Sequence, residues 1–507
     1  MVFTPIREVA NLERYNLARA NAGTYFNVVV GTRLQLQSSE GAHTTQLPTD
    51  ATQWLRLLAG PLTWLIQQHP VLSLVIGEHR SAKPTFLRMP SVDLSKIVRV
   101  TSIQQPNDIV QTLEYEHNLP FDYLNTEVPL WHIVVAHVKE DNSFYLLYNF
   151  QHAIGDGRSA MALTEQLVER LNIQASETSS RELDLPTMVI PPNDPLPFNL
   201  EKRVNCNPSL LMLFKEATMG LLLPAFVKKT IESKYWSGEI DATLDLNETQ
   251  VGLWYLNQQE TLQVIEAAKS HNTTVNSILF TASNFAIKSV FLSKVEDGVK
   301  PTTTKDRLSF STPVALRPLI TPPISRYDQG CYTSAIVTKD IEVSLDTGFW
   351  ALTQTYRNQI VKGTSTPTGI RHLLEHVGML EYLPKREGGW EDFLRGQVTK
   401  EQHGRLATIE ISNVGKAWDQ PGSVTFKIQN AIFSQSAGIT GSAFMLSAAT
   451  ANGVLSIVGT WQKATFSSRE RAEEYLREFK RILLEATEHE RKDYRFREAL
   501  LSGHASK

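Results

Sequence analysis

The sequence predicts an α/β fold. Segments with the period of an amphipathic helix alternate along the chain with short segments that are typical of buried strands. Apolar residues make up 42% of the chain and charged residues 20%, a composition that is ordinary for a globular protein and that excludes long disorder. The 507 residues fit either three domains or two larger lobes, and both arrangements bury an ample core.

In the N-terminal part, apolar side chains at helical spacing predict a helix that ends before His69-Pro70, and a strand follows it. Two further strands, joined by a polar turn, come before a second helix. The predicted bounds are 51–68 for the first helix, 71–76, 131–138 and 144–150 for the strands, and 159–171 for the second helix.

The amino-acid composition changes in the middle of the chain. Residues 174–200 are rich in serine and proline, which predicts a long connection and the first domain boundary. We therefore expect an N-terminal lobe at 1–200, an inter-lobe connection at 201–245 and a C-terminal lobe at 246–507. The apolar segment 210–229 has two interpretations, a buried or lobe-bridging helix and an interfacial helix that binds weakly to a membrane surface.

In the C-terminal part, the pattern predicts one long helix, several strands and a final helix. The long helix covers 274–292, and the strands cover 308–316, 408–411, 443–446 and 454–461. The last two strands flank a turn at Asn452-Gly453. The final helix is predicted to begin with a capping box in which Ser467 caps the helix and Glu470 reaches back.

Charge and cysteine content exclude several functions. Lys and Arg total 50 and Asp and Glu total 53, so the net charge of −3 provides no basic surface for nucleic acid. The two cysteines, Cys206 and Cys331, argue against a disulfide scaffold and favour the cytoplasm. Neither a signal peptide nor a transmembrane segment is predicted, because the first twenty residues hold five charges and the longest apolar run, 219–227, covers nine residues.

The strongest functional signal is His152-Ala-Ile-Gly-Asp156-Gly157, which lies between the strand 144–150 and a helix. Side chains at such a strand end lie where α/β proteins place their chemistry. A histidine there suits general-base catalysis, because its reference pKa of about 6.5 permits proton transfer near neutrality. Asp156 can fix the loop, and two glycines permit a tight turn. The structural alternative is a histidine at a strand end before an Asp-Gly turn.

Other motifs compete with this prediction. Gly155-Asp-Gly157-Arg-Ser-Ala160 matches a dinucleotide-binding fingerprint, but no strand follows its helix at the required spacing. His372-Leu-Leu-Glu-His376 matches an inverted zinc-protease signature, and histidines on a solvated helix face are its alternative. Arg317 ends a strand, where it is either exposed or paired with a buried carboxylate. Because no serine elbow is present and no cysteine is placed for nucleophilic attack, we expect a direct transfer.

The histidine motif resembles the active-site motif of the superfamily that includes chloramphenicol acetyltransferase, the BAHD acyltransferases and the condensation domains of peptide synthetases. Within this superfamily, the chain is most similar to the fungal and yeast alcohol O-acetyltransferases, and the similarity covers most of the chain. The matching residues are Asn11-Leu-Glu-Arg-Tyr15, Arg19, Gly23, Tyr25, Asn27-Val28, His69-Pro70-Val-Leu72, Pro129-Leu-Trp131, His152 to Gly157, Thr274-Val-Asn276, Ala315-Leu-Arg317 and Ser412-Asn413-Val-Gly415.

This resemblance implies two chloramphenicol-acetyltransferase-like lobes with mixed sheets and an active-site tunnel between them. It also implies a CoA-dependent O-acyltransferase in which His152 deprotonates an acceptor hydroxyl and Arg317 of the second lobe pairs with a structural Asp156. The substrate-binding residues would be Gly157, Ser412 and Asn413. The resemblance further implies that acyl-CoA, most simply acetyl-CoA, is a co-substrate. The acceptor would be an apolar alcohol or a hydroxylated secondary metabolite. The resemblance implies neither a metal nor a bound cofactor.

Two departures from the superfamily narrow the prediction. The D-F-G-W-G motif of the plant-type enzymes is missing, which disfavours that branch. Condensation domains usually carry two adjacent histidines, whereas Gln151 precedes His152, so a carrier-protein-dependent enzyme is the alternative within the fold. The rivals outside it are a zinc peptidase at His372 and His376 and an inactive binding protein that has kept the fold.

Overall fold

A computed structural model describes most of the chain and organises it into two lobes that contain mixed sheets. The described residues are 3–37, 46–177, 187–218, 235–240, 243, 247–294, 300–301, 307–398, 405–417, 420, 424–488 and 493–505.

The strands have the following bounds. They are β1 Thr4–Glu8, β2 Val28–Leu36, β3 Leu74–Gly77, β4 Thr85–Arg88, β5 Val92–Asp93, β6 Val98–Ile103, β7 Trp131–Val138, β8 Ser143–Phe150, β9 Met188–Val189, β10 Thr249–Leu256, β11 Ser293–Lys294, β12 Lys300–Pro301, β13 Leu308–Ala315, β14 Thr333–Ile341, β15 Ala407–Lys416, β16 Phe426–Gln435, β17 Ser442–Ala451 and β18 Val454–Gln462.

The helices lie between these strands in chain order. They are α1 Asn11–Asn21, α2 Ala51–Gln68, α3 Leu94–Ile97, α4 Ile109–His117, α5 Gly157–Glu177, α6 Leu210–Ala217, α7 Gln258–Ser270, α8 Val275–Ile287, α9 Phe349–Ser365, α10 Pro367–Gly378, α11 Gly389–Val398, α12 Arg469–Thr487 and α13 Phe496–Ala505.

Two large sheets form the centres of the lobes. The first has the strand order β16-β2-β8-β7-β6, and the second has the order β10-β18-β17-β15-β13-β14. In the first sheet β6 and β7 run parallel, and in the second β15 runs parallel to both β13 and β17. Strand β16 comes from the C-terminal part of the chain and pairs antiparallel with β2 in the first sheet. The two lobes therefore share a sheet.

The central strand β8 of the first sheet is packed on both faces. All eight of its residues are buried. Phe144, Leu146, Tyr148 and Phe150 belong to the core that includes α2 and α5, whereas Tyr145 and Leu147 belong to a cluster that reaches β10 and β18 of the second sheet. This alternation follows from the two-residue period of a strand. Both faces of β8 are thus fixed by packing, and so is the loop that follows it.

Most of the predicted elements are confirmed with shifted bounds. Helix α2 coincides with the predicted 51–68, and its N-cap Asp50 accepts a hydrogen bond from Gln53 N at 2.9 Å. The hairpin of β17 and β18 has positive φ angles at both turn residues, 49° at Asn452 and 75° at Gly453, as a tight two-residue turn requires.

Three predictions about elements need correction. The strand predicted at 71–76 begins only at Leu74, because Pro70–Ser73 forms a 3-10 turn. The predicted capping box is wrong: Ser468 is the N-cap of α12, and Ser467 donates its N–H and hydroxyl to Glu239 Oε2 instead. Helix α12 is also not the final helix, since α13 follows it.

The apolar segment 210–229 is described only in part. Helix α6 ends at Ala217, and residues 219–229 lie outside the described residues. By length and composition, Val275–Leu292 is the described helix that could cross a membrane, and 78% of it is buried inside the protein. The predicted boundaries at residues 200 and 245 stay a prediction.

Candidate active site

The loop after β8 carries the predicted catalytic histidine. Gln151 is fully buried and holds the start of the loop, since its N–H donates to Leu130 O at 3.0 Å and its Nε2 donates to Asn16 O at 3.2 Å. Its Oε1 accepts the N–H of Ala153. These bonds fix the backbone on both sides of His152. The imidazole is therefore attached to a rigid part of the loop, directly after the end of the strand.

His152 is half-buried and lines a cavity of about 340 Å³ between the two lobes. Its ring lies 6.1 Å from the ring of Tyr25 and 6.4 Å from that of Phe150, measured between centroids. Nδ1 lies 3.8 Å from Cys331 Sγ. Among the described residues no hydrogen bond to Nε2 is found, so this nitrogen is available to a ligand.

Burial lowers the pKa of His152, and the positive charge of Arg19 lowers it further. The carbonyl groups of His152 itself and of Gly155, together with the carboxylate of Asp156, counteract part of this effect. A histidine with a lowered pKa is neutral near pH 7, which is the form that accepts a proton.

Asp156 does not hydrogen-bond to His152. Its Oδ1 accepts the N–H of Ser159 at 2.9 Å, which caps the first turn of α5. Its Oδ2 accepts Arg317 Nη1 at 2.7 Å and the N–H of Tyr332 at 3.0 Å. Both oxygens are thus used by groups that anchor the loop, and two of these groups come from the second lobe.

The ion pair between Asp156 and Arg317 is buried. The side chain of Asp156 is 1% exposed and that of Arg317 is 12% exposed. Burial alone would raise the pKa of Asp156, but the Arg317 guanidinium and the N–H groups of Ser159 and Tyr332 outweigh it and hold the pKa below its usual value. The carboxylate is therefore charged and fully engaged.

Ser159 links the same two lobes through its hydroxyl. Its Oγ accepts Arg317 Nη2 at 2.6 Å and donates to Gly330 O at 2.9 Å. The sequence analysis missed this residue. Its signal was available, because a serine three positions after Asp156 fits the first turn of a helix that Asp156 caps.

Gly157 lines the cavity, but its position is explained by packing. A Cβ atom there would lie 2.9 Å from Val414 Cγ1 and 3.2 Å from the ring of Phe433. The missing side chain lets the start of α5 approach β15 and β16. Neither Gly155 nor Gly157 has a positive φ, so the left-handed backbone conformation is not what requires glycine in this loop.

Ser412 and Asn413 lie on β15 and line the same cavity as His152. Asn413 Oδ1 accepts the N–H of Gly415 at 2.9 Å, which orients the amide. In the described part of the chain, neither the Ser412 hydroxyl nor Asn413 Nδ2 has a hydrogen-bond partner. Both groups are thus free to donate to a ligand in the cavity.

Cys331 lies beside His152, although the sequence predicted that no cysteine is placed for nucleophilic attack. Its sulfur contacts His152 Nδ1 at 3.8 Å and accepts Asn16 Nδ2 at 3.4 Å. Burial raises the pKa of the thiol far above its usual value, and the charge of Asp156 adds to the effect. The thiolate, which is the nucleophilic form, is therefore disfavoured.

The zinc-protease signature does not form a metal centre among the described residues. His372 and His376 lie on α10 with their ring centroids 4.1 Å apart. Oε1 of Glu375 accepts Arg371 Nε at 3.0 Å and the N–H of Ser209 at 3.0 Å. The described part of the chain holds no group of three His, Cys, Asp or Glu side chains that could hold a metal ion.

Three charged residues of the cavity were not predicted as site residues. Arg19 comes from α1, Arg158 from α5 and Glu410 from β15. Arg19 belongs to the N-terminal signature quoted above, which was a usable signal. Glu410 had none, because its position beside Arg19 follows only from the way β15 packs against the first lobe.

Comparison with known proteins identifies the relatives of this chain. The sequence profile of a family described as alcohol acetyltransferase matches residues 109–483. A probable alcohol acetyltransferase of Fusarium pseudograminearum is 24% identical over 398 residues, which cover 75% of each chain.

Two solved structures share the fold. The trichothecene 15-O-acetyltransferase of Fusarium sporotrichioides superposes with a TM-score of 0.63 at 12% identity, covering 94% of this chain and 95% of the other. A starter condensation domain of rhizomide synthetase, solved in complex with C8-CoA, superposes with a TM-score of 0.54 at 12% identity, covering 96% and 94%. Both have the two lobes described above.

Proposed function

The chain belongs to the alcohol acetyltransferase family and is an acyltransferase, and on that premise we propose that it moves an acetyl or other short acyl group from acyl-CoA to a hydroxyl group. The acceptor is an apolar alcohol or a hydroxylated secondary metabolite. Both substrates occupy the inter-lobe cavity together, and His152 is the general base.

The observation that carries this proposal is the state of His152. The imidazole is half-buried, its pKa is lowered by burial, and no described group hydrogen-bonds to Nε2. A general base must be neutral and must reach the proton it accepts. His152 lines the cavity with a lowered pKa and no described hydrogen-bond partner at Nε2, which supports this role.

The reaction follows from this arrangement. Nε2 accepts the proton of the acceptor hydroxyl while its oxygen attacks the thioester carbonyl carbon. The tetrahedral intermediate then collapses, the carbon–sulfur bond breaks, and the imidazolium returns its proton to the CoA thiolate. The cavity contributes by holding the two substrates in contact, which replaces a bimolecular encounter.

Two donors support a site for the developing oxyanion. Ser412 and Asn413 lie on one strand, line the cavity and have no described partner for the hydroxyl and the amide nitrogen. Donors that point to the position where charge develops stabilise the transition state more than the ground state. Asp156 and Arg317 are positioning residues in this scheme, since they hold the loop and touch no reacting atom.

The donor has one alternative. In the condensation-type alternative the acyl group is bound to a carrier protein, and condensation domains share this fold. The sequence favours free acyl-CoA, because Gln151 stands where condensation domains usually carry a second histidine. The Gln151 side chain is hydrogen-bonded to Asn16 and Ala153, so it supports the loop.

The test uses the purified protein, acetyl-CoA and a panel of alcohols, with thiol release followed in time and the ester identified by mass. We expect an ester from at least one alcohol, formed about 10²–10⁴ times more slowly by His152→Ala. Acetyl transfer only from an acetylated carrier protein would favour the condensation-type alternative. Neither ester nor thiol release with any donor would favour the inactive binding protein.

We also propose that the protein is cytoplasmic and binds weakly to membranes through the segment 210–229. Within the described part of this segment, the side chains of Leu210, Leu211 and Phe214 are 84%, 77% and 68% exposed. Exposed apolar side chains on one helix favour insertion at a lipid interface. In a vesicle flotation assay, Leu211→Ser combined with Phe214→Ser should reduce the bound fraction, and unchanged flotation would contradict this proposal.

A further inference from the structure

The cavity that contains His152 also contains a cation and a carboxyl group that contact neither substrate in the proposed reaction. Arg19 of α1 and Glu410 of β15 both line it and are both partly buried. Within the described chain no ion pair joins the two side chains. Charged groups in a partly buried cavity are costly unless a partner compensates them.

Arg19 has few partners. Its only hydrogen bond within the described chain is a long one, from Nη1 to Asn16 Oδ1 at 3.4 Å. The guanidinium stacks on the ring of Tyr25 at 3.8 Å and lies 5.6 Å from the ring of Tyr15. An arginine has five N–H donors, so most of them remain available. The stacking fixes the plane in which those donors point.

Glu410 lies on the strand that also carries Ser412. Burial raises the pKa of Glu410, while the charge of Arg19 and contacts with Gln435 and Ser311 counteract this effect. Gln435 is itself held in place, because its Oε1 accepts the Tyr25 hydroxyl at 3.3 Å and its Nε2 donates to Ser447 Oγ at 3.3 Å. The wall that contains Glu410 is therefore rigid and polar.

Tyr25 connects this wall with the catalytic histidine. The centroid of its ring lies 6.1 Å from the centroid of the His152 ring and 3.8 Å from Cζ of Arg19. Arg19 and His152 therefore lie beside the same ring and line the same cavity, and the Arg19 charge is close enough to lower the pKa of His152.

We infer that Arg19 and Glu410 form a polar acceptor subsite, which selects hydroxylated compounds that carry a second oxygen, a carbonyl or carboxylate, facing Arg19. This inference rests on the proposed function and deepens it. A simple alcohol would leave the Arg19 donors desolvated and unpaired, whereas a keto-alcohol would pair them. The amide carbonyls of the pantetheine arm of the donor have the same chemistry, so the experiment separates the two sources.

The experiment compares acceptors that differ by one oxygen: cyclohexanol, 3-hydroxycyclohexanone and 4-hydroxycyclohexanone. Rates are measured with acetyl-CoA at pH 8, where His152 is neutral with or without Arg19. The variants are Arg19→Leu, Arg19→Lys and Glu410→Gln. Arg56→Leu is the matched control, because Arg56 is an exposed arginine on α2.

We expect the wild-type enzyme to prefer one keto-alcohol over cyclohexanol by about 10- to 100-fold in kcat/KM, the usual effect of one charge-assisted hydrogen bond. Arg19→Leu should remove this preference by lowering kcat/KM for the keto-alcohol, because the hydrogen bond to its second oxygen is lost, and should leave the KM for acetyl-CoA within about threefold. Arg19→Lys should retain part of the preference, Glu410→Gln should change it, and Arg56→Leu should preserve it.

Three results would overturn the inference. Equal kcat/KM values for all three acceptors in the wild-type enzyme would refute the subsite and leave the proposed function intact. A higher KM for acetyl-CoA in Arg19→Leu, with the acceptor preference kept, would assign Arg19 to the donor. The absence of any acetyl transfer would refute the proposed function and the subsite with it, unless ligand-observed NMR still shows that 4-hydroxycyclohexanone binds to the wild type and not to Arg19→Leu.

Discussion

Removing either partner of the Asp156–Arg317 ion pair should destabilise the protein as well as inactivate it. The two side chains are 1% and 12% exposed and meet at 2.7 Å, and Asp156 also accepts the N–H groups of Ser159 and Tyr332. Truncation of one partner leaves a buried charge without compensation, which costs about 3–5 kcal/mol. We therefore expect Asp156→Ala and Arg317→Ala each to lose about that much free energy of unfolding.

The double variant distinguishes a shared interaction from two separate ones. Because either single change breaks the same pair, the double variant should be little worse than the more damaging single change. The coupling energy should then lie near the upper end of the usual range, about 3 kcal/mol. The measurement is urea denaturation followed by tryptophan fluorescence, with acetyl transfer measured on the same samples.

The chain offers a matched control pair on its surface. Lys463 and Glu248 meet at 2.9 Å, but both side chains are 54% exposed. Such pairs contribute about 0–1 kcal/mol, because water screens them. A coupling energy for Asp156 and Arg317 no larger than that of this control would refute the anchoring role, and an Asp156→Ala protein that unfolds like the wild type would favour a catalytic carboxylate.

Four further predictions test the site. His152→Ala should lower turnover by about 10²–10⁴ with an unchanged melting temperature, as measured by steady-state kinetics and calorimetry; full activity would remove the general base from the mechanism. Initial-rate plots should intersect, because both substrates bind before the acyl group moves, and parallel lines or a trapped acyl-protein would contradict direct transfer. Since burial and Arg19 lower the pKa of His152, its basic form persists below pH 6.5, so the acid limb of kcat/KM should lie below that value and move upward in Arg19→Leu; a limb above pH 6.5 in the wild type would contradict the assignment. Gly157→Ala should cost about 1–3 kcal/mol through contact with Val414, whereas Gly396→Ala, in a helix with open space around it, should gain up to about 1 kcal/mol; equal effects would refute the packing role.

The sequence predicted those parts of the fold and site that depend on local patterns. Helix α2 has a regular apolar stripe, and β8 has an unbroken apolar run. The position of His152 follows from these elements, because it is the second residue after β8. The histidine and the carboxylate of its motif both line the cavity.

The rest depended on contacts between distant parts of the chain. Cys331 and Tyr332 lie about 180 residues from the histidine loop in the sequence. No local pattern predicts that Cys331 contacts His152 or that Tyr332 donates its N–H to Asp156. The predicted capping box is wrong for the same reason, since Glu239 accepts the Ser467 N–H that the local pattern assigned to Glu470, and it also accepts the Ser467 hydroxyl. Local sequence also gave no sign that β16 joins β2.

The pairing of β16 with β2 has a consequence for synthesis. About 390 residues separate Leu36 from Phe426, which lie opposite each other in this pair. At a ribosome speed of about 5–20 residues per second, the edge of β2 waits roughly 20–80 s for its partner. During that time the strand exposes unpaired backbone groups, which are a template for pairing with other chains. We therefore expect a strong dependence on chaperones while the chain is still being made, and much less dependence once residue 435 has left the ribosome.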